Sequence, residues 1–196
     1  MENPYWHAEF KPHLVNREEI RQLCFEIYAI VSSSMSFQGT GIENTEEEST
    51  PEFLNIEKLF FNRAEPELAK RLLRLALLVR TFDDAMERSA QADNYRQHFD
   101  NVKKSNPNFG ATFEGPDTTT ESLRECSNKI IHAEDLRPTY ETEDDSRDPN
   151  AKWGMTGDIE IKGTRGKNNW AISITLSLYL EGILDLIAFD ENDPIR

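Results

Sequence analysis

Residues 72–79 read LLRLALLV, an apolar run broken by a single arginine. Wound as a helix, such a run is apolar on nearly every side. That suits only a helix surrounded by other elements. It lies inside 67–88, the strongest helical segment of the sequence, with Pro66 suited to the first turn. A chain organised around such a helix is expected to be mainly α. Upstream, Asn16 and Glu19 form a capping box, and Val15 with Ile20 a hydrophobic staple. The helix they start is expected to run to about Val31, with Ile20, Leu23, Cys24, Ile27, Tyr28 and Val31 on one face. Shorter helices are expected over 52–61 and 93–102. Thr118 and Glu121 form a second capping box, opening a helix that passes Ala133 and ends before Pro138.

The pattern changes near the C-terminus. DIEIK (158–162) and WAISIT (170–175) alternate apolar and polar residues on either side of GTRGKNN. This predicts a β-hairpin near 157–176 with a long turn, whose tip carries Arg165 and Lys167. Residues 176–189 return to helical spacing. Residues 1–15 read as an extended lead-in packing through Tyr5, Trp6 and Phe10, and 32–51, 103–117 and the stretch up to Lys152 as loops. Strands do not alternate with helices, so a parallel α/β sheet is not expected. The expected fold is mainly α: a helical bundle with a short C-terminal antiparallel β-hairpin, one domain over 1–196.

Composition narrows the function classes. The formal net charge is −14, with 36 acidic against 22 basic residues, which disfavours a generic nucleic-acid coat. The charge is uneven: residues 61–110 are net +2, while acidic runs stand at 46–48 and 141–148. Solvated loops account for such runs; the sharper reading is an acidic surface for a basic partner. No apolar run approaches the ~20 residues of a membrane span, so no membrane partner is expected. The first ten residues show no secretory pattern, and there are only two cysteines, Cys24 and Cys126. A reducing cytoplasm is the expected setting, without a disulfide scaffold or a cysteine zinc site.

One segment carries residues suited to chemistry. In ESLRECSNKIIHAEDLRP (121–138), Leu123, Cys126, Ser127, Ile130 and Ile131 fall on one side of a helix. Arg124, Asn128 and His132 recur at four-residue spacing on another. A guanidinium offers a fork of donors to phosphate oxygens. An imidazole exchanges protons near neutral pH, and an amide orients either substrate or ring. The plain structural reading is a helix whose polar face bonds neighbouring backbone, with His132 favoured at the C-terminal end by the helix dipole.

The SNKIIH stretch (127–132) resembles the signature of HEPN domains, helical bundles whose ribonucleases carry an Arg-x4-6-His motif. Asn128 and His132 match the polar residue and the histidine. Ser127 stands at the arginine position, and Arg124 precedes His132 by seven intervening residues. The segment CSNKIIHA (126–133) followed by Trp170 is also similar to uncharacterised bacterial proteins with CNKIIHA-like helices and a Trp-containing hairpin. The resemblance implies a homodimer whose paired motifs cleave RNA without a metal, by attack of the 2′-hydroxyl on the adjacent phosphate. His132 would then move the proton, Arg124 would stabilise the phosphorane and Asn128 would position groups.

No cofactor or metal site is expected. His7 and His13 lack ligand spacing, Asp83–Asp84 and 143–145 lack a calcium-loop pattern, and GTRGKNN is not a Walker loop. Arg80, Asp84 and Arg88 read as an intrahelical salt-bridge ladder. Trp153, Trp170 and Tyr179 read as packing residues. Two functions follow: a HEPN-like metal-independent endoribonuclease of a toxin or defence type acting on RNA, or a non-catalytic acidic interaction module, immunity- or antitoxin-like, that binds a basic protein partner.

Overall fold

The computed structural model describes residues 15–36, 54–105, 109–114, 117–142, 151, 153–166 and 168–189. The predicted lead-in over 1–14, the acidic run 46–48, residues 143–150, Lys167, His7 and His13 lie outside these. Among the described residues the elements run α1 (Arg17–Ser36), α2 (Leu54–Glu87), α3 (Ala92–Ser105), β1 (Gly110–Glu114), β2 (Asp117–Glu121), α4 (Leu123–Ile131), β3 (Asp135–Glu141), β4 (Gly154–Arg165), β5 (Asn168–Thr175) and α5 (Leu176–Ile187). The protein is mainly α, and no helix among the described residues is long and apolar enough to cross a membrane.

The predicted α1 starts where its cap places it. The Asn16 side chain accepts from the Glu18 amide at 3.0 Å, and Ile20, Leu23, Cys24 and Ile27 are buried. Tyr28, expected on that face, is exposed, and the helix continues past Val31 to Ser36. The Ser34 hydroxyl accepts from the Met155 amide at 2.7 Å, tying that extra turn to β4.

The two helices expected around Pro66 are one. α2 passes through Pro66, which lacks the amide that would bond one turn back. A proline inside a helix costs about 3 kcal/mol. Here Ala64, Leu68, Leu72, Leu75, Ala76 and Val79 are buried on both sides of it, and their packing outweighs the local penalty.

The expected short hairpin is the centre of a larger sheet. Five antiparallel strands lie in the order β2-β1-β5-β4-β3. In the β4–β5 hairpin, Ile159 pairs with Ile174, Ile161 with Ile172 and Gly163 with Trp170. These residues form the buried face, while Glu160, Lys162 and Thr164 face outwards. That alternation marks a sheet covered by helices on one side. The turn is tighter than predicted. Arg165 pairs with Asn168, and Gly166 takes the positive φ of +66° that a two-residue turn requires.

The three additional strands fall where loops and the two ends of a longer helix were expected: that helix, α4, stops at Ile131, and β3 begins at Asp135. The Thr118–Glu121 capping box lies in β2, and the true cap is Ser122, whose hydroxyl accepts from the Glu125 amide at 3.3 Å. Three successive threonines favour extended backbone, and pairing with β1 supplies the ladder. β3 is an edge strand containing Pro138, a residue that edges tolerate.

Candidate functional site

α4 is short, and its two ends meet different surroundings. Leu123, Cys126, Ser127 and Ile130 are buried beneath it, as their spacing predicts. The Ser127 hydroxyl donates to the Leu123 carbonyl at 2.9 Å and lies 2.9 Å from the hydroxyl of buried Tyr179. Burial pushes the thiols of Cys24 and Cys126 up to about 12. Both thiols are free, and neither is a nucleophile at neutral pH.

The three residues of the predicted strip do not converge. Arg124 turns towards α2, where its guanidinium pairs with Asp83, with Asp84 at 2.9 Å and with Glu87 at 3.8 Å. Asp83 is buried, and its other carboxylate oxygen accepts from the Tyr95 hydroxyl at 2.9 Å. Arg80 joins the same cluster, 3.3 Å from Asp83 and 3.4 Å from Asp84. Partial burial opposes the charge on Arg124, but the three carboxylates outweigh it and raise its pKa above the usual arginine value. The ladder read along 80, 84 and 88 is therefore part of a network between helices, and Arg88 lies beyond the end of α2.

Asn128 and His132 line a separate cavity of about 630 Å³ between α4 and the β4–β5 turn, together with Glu125, Lys129, Thr164, Arg165 and Trp170. Asn128 donates to the Glu125 carboxylate at 3.3 Å. His132 caps the helix, and its side chain is exposed. Lys129 sits 4.2 Å from the centre of the Trp170 ring, so the ring face already holds a cation. Gly163 makes this stacking possible. A Cβ there would come within 2.3 Å of the Trp170 ring and 3.0 Å of the His132 carbonyl. The failure of the strip to converge follows from helix geometry. Steps of four residues drift 40° each, so His132 is turned by about 80° from Arg124 and lies about 12 Å further along the axis.

Sequence reasoning also missed a second concavity. A cleft of about 510 Å³ is lined by Glu57, Phe61 and Glu65 of α2, Tyr140 of β3, Ala151 and Trp153. Trp170 and Tyr179 are buried as predicted; Trp153 is not, with 41% of its surface exposed. The four-residue spacing of Glu57, Phe61 and Glu65 was legible, but Tyr140 comes from β3, a strand that the sequence did not reveal, and Ala151 and Trp153 precede β4. No group of three or more metal-ligating side chains occurs among the described residues.

No family model, no curated protein and no solved structure matches this chain. The functional reading therefore rests on its own residues.

Proposed function

We propose that this protein is a non-catalytic acidic interaction module, immunity- or antitoxin-like, which binds a basic protein partner. One observation carries the reading: the Arg124 guanidinium is held by Asp83, Asp84 and Glu87. The ribonuclease reading needs that cation at the phosphorane, beside His132. The cavity that Asn128 and His132 share holds Lys129 and Arg165 beside Glu125, but not Arg124, the motif's cation. Bringing Arg124 round would leave buried Asp83 without its closest cation, a costly rearrangement.

The overall charge of −14 supports the same reading. A strongly negative surface steers a basic partner and repels a polyanion. Two free, buried thiols agree with a reducing, cytoplasmic setting.

The test is incubation of the purified protein with mixed RNA in EDTA, beside the His132→Ala variant. The expected result is intact RNA for both proteins across a wide concentration range. Cleavage by the wild type that disappears in the variant would return the HEPN-type ribonuclease to first place.

A further inference from the structure

We propose that the cleft between the first half of α2 and the β3–β4 side of the sheet is a binding site for an arginine side chain of the basic partner. This rests on the interaction-module reading and adds the place and chemistry of recognition.

Glu57, Phe61 and Glu65 of α2 line one wall of the cleft. Tyr140, Ala151 and Trp153 form the other. Two carboxylates and three aromatic rings thus face a concavity that no basic side chain lines among the described residues. Among the described residues, no ion pair reaches Glu57 or Glu65 within 4.0 Å.

The wall is organised in advance. The Tyr140 hydroxyl donates to Glu65 Oε1 at 2.7 Å, which orients the carboxylate and leaves its second oxygen as an acceptor. Burial first, and then the adjacent Glu65, push the Tyr140 pKa well up, so the phenol stays a neutral donor. The Trp153 indole is left 41% exposed beside these acids, a large apolar surface in water.

The occupant follows from charge and shape. An apolar ligand would strip water from two carboxylates without compensating them. Two carboxylates are too few for a dedicated metal cage. A cation satisfies one of these acids and is attracted to ring faces. A guanidinium fits better than an ammonium, because it is planar, stacks on indole and phenol rings, and presents donors in a fork that matches carboxylate oxygens.

The experiment is a fluorescence-anisotropy titration of the full chain with a labelled pentapeptide, Gly-Arg-Gly-Arg-Gly, at about 0.15 M salt, where long-range attraction is screened. A second peptide with citrulline for arginine keeps the shape and removes the charge. The arginine peptide should bind, and the citrulline peptide should bind at least about tenfold more weakly. Trp153→Ala, and Glu57→Gln combined with Glu65→Gln, should each give a similar loss. Asp93→Asn combined with Glu18→Gln removes the same formal charge from exposed sites elsewhere and should stay within about twofold. If the two double variants weaken binding equally, attraction is diffuse and the cleft proposal falls, while the module reading survives. If the wild type does not bind the arginine peptide, both fall.

Discussion

At the C-terminal end of α2, Asp83, Asp84 and Glu87 face Arg124 across the contact with α4, and Arg80 reaches the same carboxylates. Towards the N-terminal end of the same helix, Glu57 and Glu65 face Phe61, Tyr140 and Trp153, with no cation among the described residues lining the space. One helix therefore carries two acidic clusters of opposite use. The first is neutralised internally and joins α2 to α4. The second keeps its charge at the surface beside exposed aromatic area. Buried Asp83 has its cations within the chain, whereas Glu57 and Glu65 meet no cation among the described residues.

The largest test of this contrast is Arg124→Ala. It removes the closest cation from buried Asp83, and breaking a buried pair costs about 3 kcal/mol or more. Urea unfolding at neutral pH should show that loss. A cost below about 1 kcal/mol, the range of a surface ion pair, would remove the distinction between the two ends. Tyr95→Phe is a smaller probe of the same cluster. It deletes the hydroxyl that donates to Asp83 and should cost about 1 kcal/mol in the same assay.

Acid titration probes the middle of α2. Hydrogen bonds from Gln22 and Arg71 hold the Glu26 carboxyl below its usual range, and Arg71 does the same for Glu67. A folded-state pKa below the unfolded value means that this stabilisation is complete above about pH 4.3, the unfolded value. It is lost as pH falls through the folded values. Stability should therefore decline shallowly below that pH, and Arg71→Met should flatten the decline. The smallest effect belongs to the cleft. Glu57→Gln with Glu65→Gln should shift unfolding stability by no more than about 0.5 kcal/mol, as surface changes do. A large loss would place these acids in the structural class with Asp83.

The contrast between the ends of α2 also explains which features were legible in advance. Apolar periodicity identified most of the buried face of α1, the buried side of α4 and the β4–β5 pairing, because each is a local pattern repeated along one element; the expectation that 72–79 is surrounded on every side fails at Leu73 and Leu77, which are 43% and 47% exposed. The join at Pro66 was not legible, since the residues that outweigh the proline are buried by contacts from elsewhere in the chain. β1, β2 and β3 were hidden for a related reason. Their sequences, GATFE, DTTTE and DLRPTYE, carry weak or broken alternation, and their order comes from pairing with β5 and β4. At the α4 strip, spacing placed Arg124, Asn128 and His132 near one another on a helical face. It did not show that Arg124 would meet the carboxylates of α2.

From its residues alone, this chain determines that it is mainly helical and strongly acidic, with a helix over the 72–79 run and a hairpin followed by a helix in its C-terminal part. Those properties depend on composition and on intervals of two to four residues. Tertiary structure decided that the hairpin belongs to a five-stranded sheet, that Arg124 faces α2 and that Trp153 stands open beside Glu57 and Glu65. The physical reason is that pairing and charge neutralisation act through space, between groups 40 to 41 residues apart at Arg124 and 75 residues apart at Tyr140 and Glu65. Sequence spacing fixes only what happens within a few turns of one helix or along one strand.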